Sequence, residues 1–309
     1  RRVLFRSKNY DEAERYYKKS ADKGHVKSQY RLAYLYDEKN FNEDAIEYYL
    51  KAIDSNYTMA KFRLGNLYNR QNTIESAKLY YDLACNDSMV EAKNNFAGLY
   101  FEEKNYEKAI KYYEEAIVDG CKVALENLGD LYYQTKDYQK AISYYLRNST
   151  SVSCQKKLAD IYMEAENTDE AIIWYKKASN NEDIESSYKL GLIYEDLNNL
   201  EDAKKYYLLA AKKNHLNSKL HLGRIYYNEG NYEESKKMLD VCANENNAYA
   251  QHMVGLIYEN YYSDHTNAKY WYEKSKNQGL VESIFNLGQI SLKLEEDELA
   301  KKYFKQGVE

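Results

Sequence analysis

Five histidines, four cysteines and several adjacent carboxylate pairs are the side chains of this sequence whose types could do chemistry. Clustered histidines would ligate a metal or relay protons, and closely paired cysteines would bind zinc or exchange disulfides. His25, His215, His221, His252 and His265 form no HExxH and no other ligand spacing, so no metal site is expected. Cys85, Cys121, Cys154 and Cys242 show no CxxC and no regular pairing, which predicts free thiols and favours a reducing, cytoplasmic compartment. Glu102-Glu103, Glu114-Glu115 and Glu295-Glu296 could pair an acid with a base, but charged pairs on helices normally face solvent. There is no GxSxG nucleophile elbow and no Gly-rich phosphate loop. The expectation is a chain with no catalytic, cofactor-binding or metal-ligating residue.

The elements that carry these residues repeat. An Ala followed three and four residues later by two aromatics recurs as Ala13-Tyr16-Tyr17, Ala45-Tyr48-Tyr49, Ala77-Tyr80-Tyr81, Ala109-Tyr112-Tyr113 and Ala141-Tyr144-Tyr145. It continues through Ala171-Trp174-Tyr175, Ala203-Tyr206-Tyr207, Ala268-Trp271-Tyr272 and Ala300-Tyr303-Phe304, with a weaker copy at Ser235-Met238-Leu239. The step is 32 residues, apart from one of 30 and one of 33. A second anchor keeps the same beat: aliphatic, small, any, aliphatic, Tyr, as in Leu64-Gly65-Asn66-Leu67-Tyr68 and Leu190-Gly191-Leu192-Ile193-Tyr194. Apolar residues three and four apart mark one face of a helix, so each unit reads as two helices joined by a short polar turn. Asn9 to Glu12, Asn199 to Asp202 and Asn231 to Glu234 have the spacing of capping boxes. There are no prolines to break a helix. The predicted fold is therefore all-α, a right-handed solenoid of about nine to ten helix–turn–helix units.

The remaining composition agrees. Gly65, Gly129, Gly191 and Gly223 let two helices approach, since a Cβ would hold the axes apart. The repeat positions absorb 27 of the 37 tyrosines as packing residues, which disfavours a cofactor-stacking box. Cys242 takes a place that is Ala or Ser in most units, so it reads as a small core residue. The net charge of −5, with Lys and Arg interleaved among Glu, argues against a nucleic-acid surface. No apolar run approaches the roughly 18 residues of a membrane helix. Residues 1–7, RRVLFRS, match no repeat and read as a translated sequencing-adapter remnant, leaving the true start missing and export open. Residues 8–309 are expected to form one repeat domain, with an irregular join at 148–154 that turns the superhelix. Without polar end caps, the array is expected to continue on both sides.

At these positions the chain resembles the tetratricopeptide superfamily, and it is similar to its Sel1-like branch. Leu64 to Ala84 follows the tetratricopeptide order, while Tyr16-Tyr17-Lys18-Lys19-Ser20-Ala21-Asp22-Lys23-Gly24 and Trp271-Tyr272-Glu273-Lys274-Ser275-Lys276-Asn277-Gln278-Gly279 resemble Sel1-like endings. The longer Gly-rich internal loop of Sel1-like units is not present. The resemblance implies a non-catalytic platform that binds a partner protein or peptide in a groove lined by the first helices. A β-lactam-binding or hydrolysing Sel1-like enzyme is an alternative, but those proteins carry a cysteine pair per repeat and this chain does not. A structural spacer within a larger protein is the other.

On each first helix, the residues five and two before the motif Leu, and two and five after it, share the stripe opposite the core. By resemblance this stripe is the groove lining. It comprises Tyr30, Tyr34, Phe62, Asn66, Asn69, Asn94, Phe101, Asp130, Tyr133, Tyr188, Glu195, Arg224, Tyr227, His252, Glu259 and Phe285. Aromatics beside carboxylates and amides predict a partner with apolar anchors and some basic residues. The Lys/Asn/Arg clamp that some relatives use for C-terminal carboxylates is not reproduced.

Overall fold

A computed structural model describes residues 10–307; the segment 1–7, the cap residue Asn9 and the last two residues lie outside the described residues. Among the described residues there are nineteen α-helices and no strand. The chain divides between Ser149 and Thr150 into two compact units. The first contains α1 (Tyr10–Ala21), α2 (Val26–Glu38), α3 (Asn42–Asp54), α4 (Thr58–Arg70) and α5 (Ile74–Asn86). It continues with α6 (Val90–Glu102), α7 (Tyr106–Val118), α8 (Lys122–Gln134) and α9 (Tyr138–Arg147). The second contains α10 (Val152–Glu164), α11 (Thr168–Asn180), α12 (Ile184–Asp196), α13 (Leu200–Lys212) and α14 (Leu216–Asn228). It ends with α15 (Tyr232–Asn244), α16 (Ala248–Asn260), α17 (His265–Lys276), α18 (Val281–Lys293) and α19 (Asp297–Gln306).

Even-numbered helices are the first helices of the repeat and odd-numbered ones the second. Within each unit a helix packs on its chain neighbours, and successive first helices also touch, as α2 with α4 and α12 with α14. This is the all-α solenoid that the doubled anchor predicts. The division falls at the irregular join, where α9 has 10 residues against the usual 13.

The anchor alanines explain the close packing. Ala45, Ala77, Ala109, Ala141, Ala171, Ala203, Ala268 and Ala300 are wholly buried between paired helices. Opposite them, the second aromatic of each pair lies on the small residue of its own first helix. A Cβ added to Gly65 would sit 2.7 Å from Tyr81 Cδ1. The same relation joins Gly129 to Tyr145, Gly191 to Tyr207 and Gly255 to Tyr272. The expected close approach is thus made to a ring, not to a bare helix axis.

Helix ends follow from local chemistry. Asn199 Oδ1 accepts the Asp202 backbone N–H at 3.2 Å, and Asn231 Oδ1 accepts that of Glu234 at 3.4 Å. The reciprocal contact to Asp202 comes from the Asn199 side-chain amide, at 2.8 Å. All the described helices except α9 and α19 stop at a residue with positive φ, which turns the chain back and lets N–H groups reach carbonyls of the last turn. Lys104, at φ 61°, is one such residue; its N–H bonds Phe101 O at 2.9 Å and the Asn105 N–H bonds Tyr100 O at 2.8 Å.

Candidate functional site

The stripe residues of the first unit are set by the rings beneath them. Tyr30 is buried between Tyr49 and Tyr57, with ring centres 6.2 and 5.1 Å away. Tyr34 is half-buried under the Arg63 guanidinium, 4.9 Å from its ring centre. Phe62 lies against Tyr81 at 6.2 Å, and Phe101 against Tyr106 at 6.0 Å. Tyr133 meets the edge of Tyr138 at 5.5 Å. Tyr34, Phe62, Phe101 and Tyr133 are half-buried against these neighbours, a placement with little rotamer freedom left to lose.

The polar residues between them form a ladder. Asn66 Oδ1 accepts the Tyr81 hydroxyl at 2.7 Å and the Asn95 amide at 2.9 Å. The Asn94 amide donates to Asn95 Oδ1 at 3.3 Å, and Asn94 Oδ1 accepts the Asn127 amide at 2.9 Å. Amides therefore link α4, α6 and α8 in sequence. Asn69 is half-buried beside the Tyr81 phenol. Asp130 accepts the Tyr145 hydroxyl at 2.6 Å.

In the second unit the rungs are ionic, as is the Asp37–Arg70 rung between α2 and α4 of the first. Glu195 accepts the Tyr207 hydroxyl at 2.8 Å, faces His221 Nδ1 at 3.0 Å and pairs with the Arg224 guanidinium. Glu259, buried, accepts the Tyr272 hydroxyl at 2.8 Å and pairs with Lys293 Nζ at 2.7 Å. Tyr188 packs on His215 at 4.6 Å and on Tyr207 at 6.1 Å. Tyr227 is edge-on to Tyr232 at 5.3 Å, and its hydroxyl accepts the Asn260 amide at 3.1 Å. His252 is buried, with Nδ1 2.9 Å from Ser283 Oγ. Phe285 is exposed, its ring 5.8 Å from Phe304.

Burial raises the phenols of this ladder well above their ordinary range. Tyr81 and Tyr113 are pushed up to about 12, and Tyr49, Tyr175, Tyr207 and Tyr272 are raised further. The phenols therefore act as hydrogen-bond donors at neutral pH. Burial lowers both His221 and His252, so neither favours carrying charge. The Cys85 thiol is pushed up to about 12 by burial, and Cys242 is raised too, which makes both poor nucleophiles. All four cysteines are free thiols. Among the described residues no group of three His, Cys, Asp or Glu side chains could hold a metal ion.

Asp130, Glu195 and Glu259 each accept a buried phenol, and Glu195 and Glu259 are matched by Arg224 and Lys293. Tyr30, His252 and Glu259 are moreover buried, Tyr30 between Tyr49 and Tyr57, His252 beside Tyr272 and Ser283, and Glu259 beside Tyr272 and Lys293. Exposure is left to the half-buried rings and amides. Several ladder members escape sequence reading. Asp37 accepts Tyr49, and Asp160 accepts Tyr175 and Lys189. Asp37 and Asp160 stand five and two residues after the motif Leu, on counted positions. Asn95, Asn127, Lys189 and His221 stand one residue before it, a position that the stripe arithmetic leaves out.

Two tetratricopeptide-repeat models match the chain, one over residues 30–94 and 94–148, the other over 157–180, 184–212, 216–246 and 281–309. A Sel1-repeat model matches residues 4–25 and 248–280. No curated protein matches the sequence. Among solved structures, the chain is similar to c5321, a protective antigen of uropathogenic Escherichia coli strains displaying an SLR fold. That match has a TM-score of 0.65 at 20% identity and covers 96% of this chain and 71% of the antigen. A Sel1 repeat protein from Oxalobacter formigenes matches with a TM-score of 0.51 at 23% identity, covering 69% of this chain and 98% of the other. At these identities the likeness is one of fold.

Proposed function

We propose, for a chain that belongs to the tetratricopeptide-repeat superfamily and carries Sel1-like units at residues 4–25 and 248–280, that it is a non-catalytic scaffold holding a partner segment along its first helices. Repeat families of this kind are typically protein-interaction modules, because stacked units present an extended surface rather than an enclosed pocket. The observation that carries the reading is the row of half-buried rings on that stripe, Tyr34, Phe62, Phe101, Tyr133, Tyr188 and Tyr227. Rigid rings of this kind are efficient anchors, since little entropy is lost on contact.

The partner segment is one with apolar anchors and hydrogen-bonding groups for Asn66, Asn69 and Asn94, with little need for basic residues. The ionic rungs have the role of holding successive first helices in register. Free thiols, two of them buried, suit a reducing compartment.

The test is a partner captured from the source cells and then measured against single substitutions. Phe62→Ala, Tyr133→Ala and Tyr227→Ala are each expected to weaken binding by roughly 1–2 kcal/mol, with helical content unchanged. Wild-type affinity in all three, alongside loss of binding from substitutions on the second helices, would place the surface elsewhere.

A further inference from the structure

The position one residue before the motif Leu changes character along the first helices. Asn95, Asn127, Lys189 and His221 each bond there to the first helix before their own, reaching Asn66, Asn94, Asp160 and Glu195. On α2 and α4 the same position holds arginines, Arg31 and Arg63, and neither makes such a bond. Where the later helices find an amide or a carboxylate, Arg63 finds Tyr34, and its guanidinium lies 4.9 Å from the centre of that ring. Its Nε is buried with no acceptor among the described residues. Arg31 is exposed, 5.9 Å from the Tyr30 ring centre. The acids of this region are engaged elsewhere. Asp37 pairs with Arg70 and accepts the Tyr49 phenol, Glu38 is bonded to the Tyr34 phenol, and Asp87 pairs with Lys61. Helix α4 itself carries Lys61, Arg63 and Arg70 and no acidic residue. In the second unit, by contrast, Lys189, Arg224 and Lys293 each have a carboxylate. Arg31 and Arg63 are left without one among the described residues.

We propose that Arg63, with Arg31 one repeat before it, seats acidic side chains of the partner segment. The proposal rests on the first-helix surface being the binding face and supplies the charge of what lies on it. A guanidinium held on the face of Tyr34 is oriented without being neutralised, so little of its freedom remains to be lost when a carboxylate arrives. Its planar fork matches a carboxylate with two parallel hydrogen bonds. Phe62, half-buried, is its neighbour in the chain and places an apolar anchor beside the charge. Helices α2 and α4 touch, and packed helices lie about 8–10 Å apart, which sets the scale between equivalent positions on the two. Two cations at that separation suit two carboxylates on one segment. A phosphoryl group, with up to about twice the charge, calls for arginines clustered on one point. The row turns neutral at Asn95 and Asn127, so the positive run is two helices long. A nucleic-acid backbone, charged at every nucleotide, would need a longer one.

The test uses the full chain with its arginine side chains labelled with nitrogen-15. It is titrated with the end-blocked peptide Ac-Phe-Ala-Glu-Ala-Ala-Glu-Ala-amide and with counterparts carrying glutamine or phosphoserine in place of both glutamates. Glutamates three apart fall on one side of a polyproline-II-like chain, about 9 Å from each other. The glutamate peptide is expected to shift the Nε–H signals of Arg63 and Arg31 saturably and to bind at least about threefold more tightly than either counterpart. Its advantage over the glutamine peptide should shrink as salt is added. Arg63→Gln should weaken the glutamate peptide roughly two- to fivefold, the scale of a partly exposed ion pair, and leave the glutamine peptide unchanged. Arg31→Gln, at an exposed position, gives the same reading if Arg63→Gln folds poorly. Equal binding of the glutamate and glutamine peptides, tighter binding of the phosphoserine peptide, unmoved arginine signals, or wild-type affinity in both variants would each overturn the assignment. Those outcomes, with Phe62→Ala still weakening a captured partner, would remove the acid seat and keep the surface. An indifferent Phe62, Tyr133 and Tyr227 series would instead remove the surface itself.

Discussion

Gly65 and Gly98 look alike in the sequence and differ in what surrounds them. A Cβ on Gly65 would lie 2.7 Å from Tyr81 Cδ1 and 2.8 Å from Cε1, so the buried ring has to move. A Cβ on Gly98 would find nothing closer than the Tyr113 hydroxyl at 3.7 Å. Alanine gains up to about 1 kcal/mol over glycine inside a helix, whereas overpacking a core costs roughly 1–3 kcal/mol. Ala33, Ala97 and Ala159 hold the Gly65 position in other pairs, so a ring can be reseated and the net cost belongs at the low end. Gly65→Ala is expected to destabilise by about 1 kcal/mol and Gly98→Ala to be neutral or stabilising, read from urea midpoints. Equal midpoints would show that the ring contact carries no weight. The small residue was legible from its recurrence beside the motif Leu. Its contact with a ring was not, because nothing in a spacing of 16 residues says which side of Tyr81 faces α4. For the same reason Glu195 and Glu259 read as surface acids: a sequence places a residue on a stripe but does not show the phenol beneath it.

At the level of the helix, period and turn length were read correctly because each pair repeats the same solution. The device that ends the helices was less visible. Thirteen non-glycine residues take positive φ, among them Lys104, Lys136, Glu166 and Glu182, while Gly24, Gly120, Gly230 and Gly279 take the same conformation at lower cost. A left-handed residue with a Cβ costs about 1 kcal/mol, and glycine gives part of that back as extra freedom in the unfolded chain. Lys104→Gly is therefore expected to stabilise the first unit by about 0.5 kcal/mol. Lys104→Val, β-branched, should destabilise it by at least about 1 kcal/mol. Thermal midpoints of the two variants check the sign; a fall for Lys104→Gly would contradict this account of the turn. Sequence reasoning recognised these segments as turns from their polarity, and polarity alone does not reveal the φ of a lysine or glutamate. The irregular join at 148–154 was legible as a break in the beat, expected within one repeat domain; the shortened α9 and the division into two compact units fall there.

At the scale of the molecule, each compact unit buries its own alanine-and-tyrosine core, and first helices within a unit are tied by amide and ionic rungs in the first and by ionic rungs in the second. Fold class was readable because it depends on periodicity, which the sequence repeats ten times. The binding stripe was readable only as a set of positions, since which members stay uncovered depends on the size of residues in the next unit. The reading as a scaffold depends on that stripe being where a partner lies. Photo-crosslinking tests it most directly, with p-benzoylphenylalanine placed at Phe62 on the stripe and at Leu79, 55% exposed on the second helix α5. The account predicts that a captured partner crosslinks from position 62 and not from position 79. Crosslinking from position 79 alone would contradict it.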